Sequence, residues 1–260
     1  MIEPIEITDI SDPDIACRGL CDHCGREHSL PVGPAMAPAL ALFHRLEREG
    51  RIDFDVPVSE ASPWMTTDYV WSEARGQMFG VLVVRDQSGR TGVIKAFSGQ
   101  YNSRWRVPGW VGPLLDVERF RMVTALEEKC IKQMSREFEQ STDAALKKTL
   151  ADARKKASRN LQRRIHSMFL IPSFAHGRSP LPMAACGTGG IPTGTGDCCA
   201  PKLLGYAALN GLTPLGLAEF YFGRTNRSGT REHGTFYPSC KDKCGRILGY
   251  MLCGLEDARQ

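Results

Sequence analysis

The sequence predicts an α/β protein, and three observations carry that prediction. The stretch "QMFGVLVVRDQSGRTGVIKAFSGQ" alternates two β-rich runs, Phe79–Val84 and Val93–Phe97, around the turn residues "DQSGR", which is the signature of a hairpin. A second buried strand is expected at "LGLAEFYFG", where a short continuous apolar run ends in glycine. Helical spacing of apolar residues occupies most of what lies between and around these strands.

Each element follows in chain order. Residues 1–16 read as a loose, acidic leader, and "CRGLCDHCGREH" follows as a cysteine cluster. Leu40, Phe43 and Leu46 recur at helical spacing, so a helix is expected over Met36–Glu49, closed by Gly50. "RIDFDVPV" alternates as a short extended segment, and the hairpin comes next. "WRVPGWVGPLL", with Trp105 and Trp110, reads as a loop over the core or a ligand mouth. Val117–Met168 reads as two helices broken near "EQSTDA", with Ser141, Thr142 or Asp143 as the cap of the second. One apolar face holds Phe120, Val123, Cys130, Met134 and Phe138; the other runs from Leu146 to Ile165. Residues 172–197 are rich in Gly, Pro and Ser and read as loop. A helix is expected from Cys198 to about Asn210, and another after "YPSCKDKC". Two parts result: residues 1–60, and residues 61–260 with 117–168 as a basic helical insertion.

Composition narrows the function. Hydrophobic content of 42% and charged content of 24% are ordinary for a globular chain of 260 residues. No apolar run is long enough to span a membrane, and the N-terminus lacks the apolar region of a secretory signal; a cytoplasmic location is the expectation. The net charge of +4 is mild. It is unevenly placed: Lys147, Lys148, Arg154, Lys155, Lys156, Arg159, Arg163 and Arg164 fall on one helix with two acids, Asp143 and Asp152. Such a face is either solvated or a nucleic-acid footprint, in which Lys155, Lys156, Arg159 and Arg163 would hold phosphates.

Ten cysteines is a high count for a reducing compartment, where clustered thiols bind metal or do chemistry more often than they form disulfides. Cys21, Cys24 and His28 have zinc spacing, with Cys17 as the fourth ligand of a small knuckle and His23 as a spacer. Cys17, Cys21 and Cys24 also match a radical-SAM cluster spacing, but the chain lacks the repeated strand–helix units of that barrel. Cys198, Cys199, Cys240 and Cys244 form the second group. Cys130 and Cys253 lie in apolar patterns and read as packing residues. The "GTGD" turn lacks the Lys-Ser/Thr of a phosphate loop, so its glycines are expected to bring backbone close to the second group. A closed site with His233 as the fourth ligand, or a nucleophilic cysteine beside His233, are rival readings. Lys202 either faces an anionic substrate or snorkels, and Trp105 and Trp110 either stack on a base or fill the core.

The order hairpin, Cys-headed helix, buried strand, Cys-headed helix resembles the core of the cytidine-deaminase-like superfamily. That resemblance implies zinc held by Cys199 or Cys198 together with Cys240 and Cys244, and a water activated for attack on a nucleobase. The chain departs from the family pattern. "PSCKDKC" is longer at each gap than Pro-Cys-x-x-Cys, and Ala200 or Pro201 stands where the family has its proton-carrying Glu. Asp197 or Glu219 would have to take that role, with His233 as substrate-stabilising group. Three longer stretches, "SGQYNSRWRVPGWVGPLLD", "GTGDCCAPKLLGYAALNGLTPLGLAEFYFG" and "HGTFYPSCKDKCGRILGYML", look like the N-terminal extension of some bacterial RluA-type RNA pseudouridine synthases. The synthase's Arg-Leu-Asp motif is absent, so the resemblance implies work near RNA modification and not pseudouridine formation. Two zinc ions, a nucleobase in RNA or a nucleoside as substrate, and no membrane partner are the resulting expectations; a non-catalytic, zinc-stabilised RNA-binding module is the alternative.

Overall fold

The computed structural model describes residues 2–5 and 14–256; most of the N-terminal stretch read as a leader lies outside them. The strands and helices run in this order: β1 (Glu3–Pro4), β2 (Ile15–Cys21), β3 (Arg26–Pro31), α1 (Met36–Glu49), α2 (Asp68–Trp71), β4 (Gln77–Arg85), β5 (Thr91–Phe97), α3 (Val117–Gln140), α4 (Ala144–Met168), β6 (Leu170–Ser173), β7 (Gly177–Pro180), α5 (Leu181–Ala184), α6 (Cys199–Leu209), β8 (Thr213–Phe222) and α7 (Gly245–Leu252). The main sheet has the order β1-β5-β4-β8, and every neighbouring pair is antiparallel. The hairpin pairs Phe79 with Phe97 and Val83 with Val93.

Both sheet faces are covered, which is why β4 reads as an almost unbroken apolar run. Phe79, Val81 and Val83 face one core cluster with Ala39, Leu42, Phe43 and Leu46 of α1. Leu82 and Val84 face the other, with Leu203 and Leu204 of α6 and Ile247, Leu248 and Met251 of α7. The 1–60 segment contributes to both clusters: Ala16, Cys17 and Leu30 join the second, and α1 builds the first.

The β2–β3 hairpin lies against α7 at glycine-to-glycine distance. A Cβ on Gly19 would collide with the backbone nitrogen of Gly249, and one on Gly249 with the carbonyl of Leu20. This contact delivers the first cysteine cluster to the C-terminal helix.

Several expectations change in the structure. Residues 172–197 are not all loop, because β6 and β7 pair and lead into α5. "RIDFDVPV" forms no strand; Arg51 alone bridges to Thr66. Trp110 is buried, and its indole N–H donates to the Ile52 carbonyl at 2.7 Å. Trp105 is buried against Phe120, at 5.8 Å between ring centroids. Both are core residues and not stacking platforms. The helical insertion divides at the expected break, with Asp143 accepting from the N–H groups of Ala145 and Leu146. Its two helices pack mainly on each other: of α3 only Val117 and Thr124 are buried, and of α4 only Leu161 and His166. Cys130 is therefore exposed and not a packing residue.

The glycine contact predicts a specific fragility. Gly249→Ala forces apart two backbones that cannot yield as a side chain would, and should cost about 1–3 kcal/mol, as overpacking does. Gly190→Ala, where an added Cβ meets nothing within 4 Å, should leave the denaturant midpoint unchanged.

Candidate metal centres

The first cluster is closed. Ligand atoms of Cys21, Cys24, His28 and Cys253 all lie within 4.8 Å of one another, a donor set that suits tetrahedral metal. The turn after β2 brings Cys24 back under Cys21, with the Gly25 N–H donating to the Cys21 carbonyl at 2.8 Å. Cys24 Sγ and His28 Nε2 are 3.1 Å apart, and the hydrogen bond to His28 pulls the Cys24 thiol down to about 7. Cys253 ends α7, and burial pushes its thiol up to about 12. His176, arriving from the turn between β6 and β7, sits 3.1 Å from its sulfur.

Cys17, expected as the fourth ligand, is not in the cluster. It lies four residues of extended chain from Cys21, about 13 Å at strand rise, and packs into the core instead. Cys253, read from sequence as a packing residue, takes its place. No local spacing signals this, because the contact joins segments more than 200 residues apart in the chain.

The second cluster is built at two helix starts. Cys198 is the N-cap of α6 and Cys244 the N-cap of α7, with Cys240 one turn earlier. Ligand atoms of these three lie within 4.8 Å of one another, and no fourth His, Cys, Asp or Glu joins them among the described residues. Cys198 and Cys240 sulfurs are 3.9 Å apart, and the Cys244 N–H donates to Cys240 Sγ at 3.3 Å. The hydrogen bond with Cys198 holds the Cys240 thiol far below the ordinary thiol range. Helix N-termini favour the thiolate form.

The adjacent cysteines are now distinguishable. Cys199 is fully buried, donates to the Met78 carbonyl at 3.4 Å, and has its thiol pushed well up by burial. It is a packed thiol, neither ligand nor nucleophile. Gly80 makes room for it: a Cβ there would come within 2.7 Å of the Cys199 Cβ. The turn before Cys198 depends on Gly196, whose φ of 95° lets the chain pass Phe169.

Two carboxylates flank this cluster. Asp197 precedes Cys198, and its Oδ1 is buried without a hydrogen-bond partner among the described residues. Burial raises that carboxyl to about 6, against the pull of Lys202 and Lys243. Glu219 comes from β8, opposite Gly80, and accepts from the Ser239 hydroxyl; burial raises it to about 7.

The other expected site residues lie elsewhere. His233 stands on the α1 side of the sheet among Phe43, Trp71 and Phe222, accepts from the Gly223 N–H at 3.1 Å, and faces Glu47 at 3.7 Å. It neither closes the second cluster nor serves a nucleophile there. Lys202 is buried and donates to the carbonyls of Phe97 and Gly99 at 2.8 and 2.7 Å, so it braces the end of β5 and does not face a substrate. Lys155, Lys156, Arg159 and Arg163 are exposed along α4. The root of that helix touches the second centre's loop, where the Thr193 hydroxyl donates to Gln162 at 2.9 Å.

No helix among the described residues is long and apolar enough to cross a membrane. Compared with known proteins, the chain matches no family model, no curated protein and no solved structure.

The geometry predicts a particular pattern of metal loss. Cys253→Ser should remove one bound ion per chain and Cys198→Ser the other, whereas Cys17→Ser and Cys199→Ala should keep both. Elemental analysis of reduced, purified protein reads this directly.

Proposed function

We propose that the second centre is a zinc-dependent hydrolytic site of the deaminase type, acting on a nucleobase, and that the first is a structural zinc site. The observation that carries the reading is the combination at Cys198, Cys240 and Cys244. Among the described residues, three thiol ligands converge with no fourth protein donor, and the residue preceding Cys198, Asp197, carries a buried carboxylate oxygen, Oδ1, with no hydrogen-bond partner. Structural sites fill all four positions, and catalytic ones leave one for water.

Zinc held this way would acidify a water near neutral pH. The chain's own residues do the rest. Asp197, its carboxyl raised by burial, is suited to take a proton from the attacking water and hand it to the departing amine. Glu219 holds Ser239, the residue before Cys240, and so sets the entry of that ligand. The antiparallel hairpin followed by a Cys-headed helix, an antiparallel strand and a second Cys-headed helix supports the resemblance to the deaminase core. The exposed basic row on α4, rooted at the loop of the centre, supports RNA as carrier of the base, with salt-sensitive binding.

One observation favours the non-catalytic, RNA-binding alternative: Ala200, two residues after Cys198, is fully buried and carries no carboxylate. Turnover separates the two. Zinc-loaded protein should release ammonia from cytidine or adenosine, free or within RNA. Asp197→Asn should lower the rate about 10²–10⁴-fold with metal content intact, and His233→Ala should leave it unchanged. Absence of ammonia from all four substrates would refute the enzymatic reading.

A further inference from the structure

The face of the sheet opposite the metal-bearing helices holds a cleft of about 600 Å³ between α1, β4 and β5, a size typical of small-molecule sites. Its walls are largely apolar: Ala37, Ala41 and Leu42 from α1, and Val81 and Val93 from the strands. Lys95 enters it from β5 and is only 5% exposed. Burying an ammonium is costly unless an anion meets it. Here the anion is Glu3, whose Oε1 contacts Lys95 Nζ.

Glu3 is an unusual partner for so buried a cation. It is half-exposed and belongs to a two-residue edge strand held to β5 through the pairs Glu3–Val93 and Pro4–Gly92. Such short edges open at low cost. The rim cations of the cleft are engaged from their own helix: Arg45 and Arg48 by Glu49 at 2.7 and 3.7 Å, and His44 by Glu47 at 3.1 Å. Lys95 alone among the cleft's cations takes its carboxylate from a distant terminal segment.

We propose that this cleft binds an apolar monocarboxylate. Its carboxylate displaces Glu3 from Lys95, and its hydrocarbon body lies against Leu42, Val81 and Val93. Glu3 is then a built-in competitor, and the apparent affinity of the wild-type chain is reduced by the fraction of time that Glu3 is displaced. With His44, Arg45 and Arg48 already paired to acids of α1, the one cation whose carboxylate can be displaced suits a single carboxylate on a hydrocarbon chain better than a phosphate.

Calorimetric titration with hexanoate tests this. Glu3→Ala should bind hexanoate about tenfold or more tighter than wild type, and Glu3→Ala combined with Lys95→Met should not bind it. Inorganic phosphate should bind neither. Glu3→Gln, which keeps the side-chain volume, replaces Glu3→Ala if the latter fails to fold, and is expected to show the same gain. The proposal is overturned if neither Glu3 variant binds hexanoate more tightly than wild type, if the double variant binds as well as the single one, or if phosphate binds as tightly as hexanoate.

Discussion

Cys253 meets Cys21, Cys24 and His28 at a single point, so the last described helix and the first hairpin are held together there. Much else follows from that junction. With α7 fixed against β2 through Gly19 and Gly249, its N-terminus is fixed as well, and Cys244 and Cys240 precede it. The two centres therefore sit at opposite ends of one eight-residue helix: Cys244 caps its start and Cys253 follows its end. Without the first centre that helix is still held by its glycine contact with β2 and by Ile247, Leu248 and Met251 in the core, so Cys240 and Cys244 keep their places.

The second centre depends on how closely α6 approaches the sheet. Gly80 on β4 admits Cys199, and that contact sets the rotation of α6 so that Cys198 turns outward to the ligand cluster while its neighbour is buried. Lys202, one turn further, ties the same helix to the end of β5 through two carbonyls. The Gly99 N–H in turn donates to the Asp197 carbonyl at 2.7 Å. The backbone around Asp197 is thus fixed while its carboxylate oxygen Oδ1 is unpartnered among the described residues, which is what the proposed proton transfer would require of it.

Local pattern carried much of this into the sequence. The span of α1, its end at Gly50, the central hairpin, the Asp143 cap and the helix after Cys198 were all readable, because each is decided by residues within a turn or a strand of one another. What depended on distant contacts was not. The β2–β3 hairpin hides in "CRGLCDHCGREH" because its packing face is glycine against a remote glycine. Cys253 hides in "YMLCGL" because an apolar helical context looks the same whether the thiol packs or binds metal. Cys17 misleads in the opposite way, since its spacing suits a loop but the strand carries it away from Cys21. Lys202 and His233 looked functional as polar residues near a motif, and the fold spends one on backbone carbonyls and the other on an aromatic cluster on the opposite side of the sheet.

The two clusters differ in closure, four ligand residues against three among the described residues, and X-ray absorption at the zinc edge of zinc-loaded Cys253→Ser protein reads that difference. That variant retains only the Cys198, Cys240, Cys244 centre. Three sulfur ligands at about 2.3 Å and one oxygen or nitrogen at about 2.0 Å, the latter exchanging with added small ligands, are expected. A four-sulfur shell, or a fourth ligand that does not exchange, would contradict an open second centre.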